Sequence, residues 1–560
     1  MLNIHKTVDT DILIVGGGIG GLMASICAGE QGLSTIVAEK AHVRRSGSGA
    51  TGNDHFLCFM PEIQNITLKE MINEMLAGQV GPWHDTQLTK VFLERTAEMV
   101  HRWHSWGIDM KPFGPDYVYM GHAFPDRPRM YIKYDGHNQK EILVKKAKEV
   151  GVAFLNHHPA TDLLAENGRV SGAVLMNVKE DEPSFVLVRA KAVIMATGCS
   201  TRLYPSSMTP AMLFNSGFCP SCAGGMASAY RIGAKLVNME YPYTHAGTKY
   251  FARCGKATWI GVYKYPDGRP IGPFVRKPTR ELGDNTSDVW KSVFLDVMNN
   301  GTGPAYLDCS EASPEDLQFM RQGMVSEGLT SQLDYMDKEG IDPAHHAVEF
   351  GRYEPLLFGR GLEIDETGST NIRGLYVAGD PIGNFRSGIA GAVTWGWISA
   401  EHASAYARDV QLSDKTLSDA SIEQRLALYD KLLRRENGAP WQEFNIALQQ
   451  LMNDYCPAAP RARSETLLRA GLKYMAALRA HALRDMAVPN SHMLMRGLEV
   501  LDLIDLGEAV MTAARERRET RVQHIRSDCP FTNISDGEKF ITVELKEGKP
   551  VTAWRKRRML

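Results

Sequence analysis

The apolar positions of this chain come in short unbroken runs separated by glycine, and between them lie stretches of helical period. Ile12-Leu13-Ile14-Val15 runs straight into Gly16-Gly17-Gly18-Ile19-Gly20-Gly21. A brief continuous apolar run bounded by glycine predicts a strand buried on both faces, here Asp11 to Val15. A helix over Leu22 to Gln31 follows, with Gly32 as its C′ residue, and then a strand over Ser34 to Glu39. Strand-like runs recur at Ser184 to Val188 and Ala190 to Ala196. Strands alternating with helices predict a parallel sheet covered by helices.

Regular periodicity weakens over 246–345, where Gly, Pro, Lys and Asp are dense, as in Tyr265-Pro266-Asp267-Gly268-Arg269-Pro270. That stretch reads as an inserted domain. Sheet-and-helix patterning returns over 371–403. Past residue 415 the pattern is helical: Ser421-Ile422-Glu423-Gln424 has the form of a capping box, and Ile422, Leu426, Tyr429 and Leu433 share one face. Asn437-Gly438-Ala439-Pro440 stops that helix, and further helices are predicted at Glu465 to Arg479 and Glu499 to Arg515. The end reads as a hairpin, Phe540 to Leu545 and Lys549 to Trp554, around Glu547-Gly548. The expected division is 1–245, 246–345, 346–410, 411–515 and 516–560: a first core segment, an inserted α+β capping domain, the rest of the core, a helical domain and a small C-terminal segment.

Composition narrows what such a fold can do. Of 560 residues 63 are Lys or Arg and 65 Asp or Glu, a net charge of −2. No basic excess exists to neutralise a nucleic-acid backbone. No run approaches the ~20 apolar residues of a membrane-spanning helix. The N-terminus lacks the pattern of a secretory signal, and the nine cysteines are odd in number and dispersed, so free thiols and a cytoplasmic location are expected.

Gly16-x-Gly18-x-x-Gly21 between a strand and a helix is the dinucleotide fingerprint: a tight turn, a close approach for a pyrophosphate, and close helix–strand packing. Glu39 ends the second strand, where an acid would hold a ribose. The small residues from Arg44 to Gly52 could pass beneath a large cofactor. Ala196-Thr197-Gly198 and Gly374-Leu375-Tyr376-Val377-Ala378-Gly379-Asp380 complete a set that resembles the FAD pattern of glutathione-reductase-like flavoproteins.

The resemblance extends further. The segment from Ala229 to Tyr241 is similar to the "RAGA…DMEF" segment of the fumarate reductase and succinate dehydrogenase flavoprotein family, and His245-Ala246-Gly247 stands where that family has "HPTG". Arg518-Glu519-Thr520-Arg521-x-x-His524-x-Arg526-x-Asp528-x-Pro530 matches its "RESRGAHxRxDxP". Within the family, Arg45-Ser46-Gly47 and Glu354 to Gly359 resemble the adenylylsulfate reductase flavoprotein branch.

The departures matter as much. Gly47 occupies the slot of the histidine that bonds FAD covalently in some members, so the resemblance implies non-covalent FAD. Phe385 to Gly391 replaces "HGANRLGG", Asp288-Val289-Trp290-Lys291-Ser292 is the nearest stretch to "RDVVSR", and Leu356 to Arg360 stands where the family has "HYTMGG", with Arg360 at the position of a catalytic histidine.

The resemblance implies a FAD-dependent oxidoreductase, the catalytic flavoprotein subunit of a fumarate reductase or adenylylsulfate reductase type. It would exchange two electrons with a small anionic substrate and work with a separate ferredoxin-like iron–sulfur subunit. A self-sufficient oxidase or enoate reductase, and a non-catalytic FAD electron-transfer subunit, are the alternatives. The implied cofactor ligands are Gly16, Gly18, Gly20, Gly21, Glu39, Lys40, Arg45, Ser46, Gly47, Gly52, Thr197, Gly198, Asp380, Ser387 and Gly388; the implied catalytic residues are His245, Arg360 and Arg386. Cys219-Pro220-Ser221-Cys222 is read as structural cysteines near FAD, with no iron–sulfur cluster in the chain and no metal site. The basic end, Trp554 to Arg558, is read as a solvated tail.

Overall fold

The computed structural model describes residues 2–78, 81–120, 127–206, 213, 219, 222–249, 251, 258–273, 275–290, 292–413 and 420–560. Its core is a seven-stranded sheet. The strands Ala153–Asn156, Thr35–Glu39, Ile4–Val15 and Ser184–Met195 lie side by side and parallel, and Leu375–Val377 adds to the last of them, again parallel. The other flank departs from the expected all-parallel sheet: Ala160–Glu166, Arg169–Asn177 and Ser184–Met195 form an antiparallel meander. Its short turns need no crossover helix, so helix–strand alternation in the sequence could not reveal them.

The opening strand begins at Ile4 rather than Asp11, because its alternating first half pairs with Phe185 to Arg189. The fingerprint helix, Ile19–Glu30, crosses the long helix Gly388–Asp409 at glycines: a Cβ on Gly396 would lie 2.5 Å from the Gly20 carbonyl. This crossing brings residues 388–392 beside the fingerprint.

The capping domain is a four-stranded antiparallel sheet, Ala246–Thr248, Val348–Arg352, Ala305–Asp308 and Val262–Lys264, with its own core around Trp259, Phe294, Phe319 and Phe350. Its sheet runs from Ala246 to Arg352, past residue 345, since the return strand Val348–Arg352 closes it. The cap rests on residues 51–54: a Cβ on Gly52 would lie 2.0 Å from Ser326 O, and one on Gly328 2.3 Å from Thr51 O.

The helical region comprises Ala420–Leu433, Trp441–Tyr455, Glu465–Asp485 and Ser491–Glu516. The last starts well before Glu499 because the Asn490 side chain caps it, accepting from Met493 N. The capping box expected at Ser421 lies outside the described side chains. The C-terminal hairpin, Lys539–Lys546 with Lys549–Lys556, is not a separate segment. Thr542 and Val543 pair with Val237 and Leu236, which makes it part of a sheet with the core.

Candidate active site

One cavity of about 1190 Å³ runs from the fingerprint to the underside of the cap. At one end Gly16 turns with φ +106°, and a Cβ there would meet Ala196 O at 2.4 Å. A Cβ on Gly21 would meet Gly16 O at 1.9 Å, so this glycine serves packing and does not line the cavity. Gly18 differs: among the described residues nothing lies within 4 Å of where its Cβ would be, and it lines the cavity. The helix starting at Ile19 has neither a side-chain cap nor an acid in its first turn, which leaves its first N–H groups for an anion.

Glu39 is buried, with both oxygens engaged: Oε2 accepts from Gly17 N and Oε1 from Ala41 N, each at 2.7 Å. The carboxylate therefore shapes the loop, while its remaining lone pairs stay available to a ligand's hydroxyls. Lys140, buried behind the loop, donates to Gly17 O, and burial pulls its ammonium down to about 8. Lys40 pairs with Glu499.

The hydroxyls of Ser46, Thr197 and Ser387 are buried along the same cavity without a hydrogen-bond partner among the described residues. Buried hydroxyls are ordinarily satisfied. Three orphans beside the open Gly18 cradle, with Arg45, Gly47, Gly198 and Gly388 on the same wall, fit a long polar cofactor such as FAD. Gly47 has φ +85° and its Cβ position is 3.1 Å from Gly18 Cα, so a larger residue would be strained and tight there, and glycine itself offers no side chain to bond a cofactor. Asp380 also lines the cavity, and burial pushes its carboxyl up to about 6 against the pull of Arg386. Gly20 lines it too, whereas Gly52 is spent on the cap contact described above.

Toward the cap, Arg386 lies over the Tyr243 ring at 3.8 Å and the Phe358 ring at 4.4 Å, and donates to Tyr243 Oη at 2.9 Å. Its Nε and Nη1 are buried and unpartnered among the described residues. Its backbone N–H donates to His84 Nε2 (2.9 Å), which requires that nitrogen to be an acceptor. Burial, with Arg557, Arg386 and Arg360 nearby, holds His84 well below the ordinary histidine range, so it stays neutral. Tyr131, His245 and, from the cap, Asn285 and Asp288 line the same space.

Arg360 is placed differently from expectation. It does not line the cavity: Nε donates to Tyr241 O at 2.6 Å, Nη1 to Phe358 O and Gly359 O, and its guanidinium stacks on Trp83. Burial and the Arg386 charge pull it down to about 9. It braces the two chain segments that carry Tyr243 and Phe358. The basic terminus is docked rather than solvated: Arg555 pairs with Asp85, Arg557 donates to Gly81 O, and Arg558 donates to Ile364 O. The tail thus secures the loop that carries His84. Cys219 and Cys222 flank the cavity with Cys222 N–H donating to Cys219 O (3.1 Å), while Pro220 and Ser221 lie outside the described residues, as does Lys291.

Tyr131, Tyr243, His55 and Asp288 were not anticipated as cavity residues. Tyr243 falls between the segment ending at Tyr241 and His245, Asp288 sits in the stretch nearest to "RDVVSR", and His55 follows the small-residue stretch by three positions. No spacing rule links any of them to the fingerprint.

Residues 11–392 match the FAD binding domain family and residues 445–556 the fumarate reductase flavoprotein C-terminal family. The fumarate reductase flavoprotein subunit of Haemophilus influenzae is 22% identical over 93% of this chain and 90% of its own length. Among solved structures, adenylylsulfate reductase from Archaeoglobus fulgidus superimposes with a TM-score of 0.80 at 22% identity, over 99% of this chain and 96% of that one. Escherichia coli quinol fumarate reductase gives 0.83 at 19% identity, over 99% and 98%. These likenesses show a shared fold and do not rank the two branches.

Proposed function

Because the chain belongs to the fumarate reductase and succinate dehydrogenase flavoprotein family, and is a FAD-dependent oxidoreductase of that type, we propose that it oxidises or reduces a small anionic substrate bound between FAD and the cap. The observation that carries this reading is Arg386: on the cavity wall its Nε and Nη1 are buried N–H donors with no acceptor among the described residues. A buried N–H donor left without an acceptor is costly, and a carboxylate, sulfonate or phosphate offers the acceptors a guanidinium fork fits.

FAD, when bound, supplies the two-electron chemistry. Gly18, Ser46, Thr197, Ser387 and the first turn of the helix at Ile19 would hold its diphosphate and ribityl groups, with Glu39 at the adenosine ribose. Arg386 would clamp the substrate anion. Tyr243 fixes the guanidinium from below and His84 fixes its backbone, so Arg386 meets the anion already oriented. His245 would complete the anion site from the strand that leads into the cap. Asn285 and Asp288 face it from the cap, which excludes water when seated.

We further propose that electrons pass through a separate iron–sulfur protein. Among the described residues, the one group of three or more ligating side chains is Asp54, His55 and Glu327, which contains no cysteine. The test is turnover of a panel of acids, including fumarate, succinate and sulfite, by the flavin-loaded chain. Reduced methyl viologen and ferricyanide would serve as artificial donor and acceptor, with dioxygen alone as a third arm. Turnover of an anion with the artificial carriers and none with dioxygen supports the reading. Steady turnover with dioxygen points to the self-sufficient oxidase, and preference for a neutral compound overturns the reading.

A further inference from the structure

His55 opens the short strand His55–Leu57, which pairs antiparallel with Tyr131–Lys133, and it lines the cavity that Arg386 and His245 also line. Its Nδ1 is 2.6 Å from Asp54 Oδ1. Asp54 is 2% exposed, and its other oxygen accepts from Lys133 Nζ at 2.7 Å. From the cap, Glu327 places Oε1 3.5 Å from the same Nδ1, and Asn53 Nδ2 donates to that oxygen at 3.3 Å. Tyr131 packs its ring edge-on to the imidazole at 5.5 Å.

Asp54, His55 and Glu327 bring their ligating atoms within 4.8 Å of one another, but the Lys133 ammonium already takes the place a cation would fill. The cluster is therefore complete as an imidazole-orienting device. Burial would push the Asp54 carboxyl up; Lys133 and His55 outweigh it and hold it ionised. An ionised Asp54 accepts Nδ1–H, so the tautomer is set and Nε2 is the atom left to take or give a proton. The other groups on the cavity wall are poorer proton carriers. Burial raises the Tyr131 phenol, and a guanidinium such as Arg386 does not release its proton.

We propose that His55, oriented by Asp54 and Lys133, is the acid–base catalyst that exchanges a proton with a substrate carbon in the reaction assigned above, the substrate being an unsaturated or saturated carboxylic acid. The inference rests on that functional reading. In the reducing direction the C=C π bond breaks and two C–H bonds form. One carbon receives a hydride, the two electrons coming from reduced FAD, and its neighbour receives the His55 Nε2 proton. The hydride would be supplied by the bound reduced flavin, and the imidazole is left neutral, to be reprotonated from solvent. In the oxidising direction His55 takes the proton. The titratable and charged groups around the imidazole are Asp54, Lys133 and Tyr131 from the core and Glu327 from the cap.

The experiment compares the flavin-loaded wild type with H55Q and D54N. Fumarate is the probe: its binding is read by flavin absorbance, and its reduction is followed with reduced methyl viologen over pH 5.5–9. H55Q is expected to lower kcat about 100-fold or more and to lose the histidine limb of the pH profile, with the fumarate Kd within about 3-fold of wild type. D54N, which keeps the shape but disturbs the tautomer, is expected to lower kcat at least about 10-fold and shift that limb. If H55Q fails to retain flavin, D54N decides. The inference is overturned if kcat and the pH limb are unchanged in either variant, or if Kd rises in step with the lost kcat, as for a group that only binds or latches the cap. A wild type that neither binds nor reduces fumarate overturns it at the level of the functional reading, which the variant arms do not touch.

Discussion

Lys40 and Glu499 are 459 positions apart in sequence and 2.6 Å apart in the fold. Lys40 follows the acid at the end of the second strand, and Glu499 lies on the long helix of the C-terminal region. The same carboxylate also accepts from Arg202 at 2.5 Å and Arg496 at 2.9 Å. A single acid therefore ties the helical region to the adenosine end of the cofactor cleft.

Glu499→Gln should destabilise the folded chain by about 3–5 kcal/mol, because it leaves Arg202, fully buried, beside two other cations without their shared counter-charge. Urea unfolding followed by circular dichroism measures this. Lys40, Arg202 and Arg496 outweigh burial and hold the Glu499 carboxyl down at about 2, below its ordinary 4.5. Its contribution is thus fully present above pH 4.5 and is lost as pH falls through about 2. The gap in stability between wild type and Glu499→Gln should be flat from pH 5 to 8 and should close below pH 4. A gap that widens on acidification would contradict the assignment.

Glu39→Ala should weaken FAD binding at least tenfold. The substitution removes two hydrogen bonds that hold Gly17 and Ala41 in place, each charge-assisted and worth about 1.5–3 kcal/mol before water compensates. The quenching of FAD fluorescence on titration into apoprotein reads the change. Unchanged affinity would mean that the loop keeps its shape without the acid.

FAD should be held without a covalent bond at this position, since Gly47 offers no side chain to form one. Precipitation with acid should leave all the yellow colour in the supernatant. Flavin retained in the pellet would require a linkage elsewhere in the cleft.

The parts of this molecule that were legible in the sequence are those where backbone geometry forces a residue type. Gly16 and Gly21 announce a strand–turn–helix cradle because each answers a close backbone approach, and Gly18 because it leaves the cradle open. The cap was legible as a loss of periodicity, yet its end at Arg352 was not, because a return strand of five residues carries too little pattern. Arg360 shows the opposite failure. A guanidinium in a glycine-bounded stretch near the cofactor motif suggests an anion ligand, but its Nε and Nη1 go to three backbone carbonyls, its face stacks on Trp83, and the side chain lies off the cavity. Only the course of the 81–85 loop, pinned by the C-terminal tail, decides this, and it depends on contacts more than 470 residues apart, such as that between Arg557 and Gly81. His55 was invisible because an adjacent Asp-His pair has no signature of its own: Lys133, which bonds Asp54, and Glu327, beside the imidazole, come from two other segments.

The central claim is that Arg386 receives a substrate anion, and it is tested most directly by titrating flavin-loaded wild type and Arg386→Met with small anions while following the flavin absorbance. Methionine keeps the contact with Tyr243 and Phe358 but removes the charge and the two unpartnered donors. Binding of the best anion should weaken by about 2–5 kcal/mol, as for truncation of one partner of a buried charge pair, with the flavin content unchanged. Equal anion affinity in the two proteins, or tighter binding of a neutral analogue by the wild type, would contradict the account.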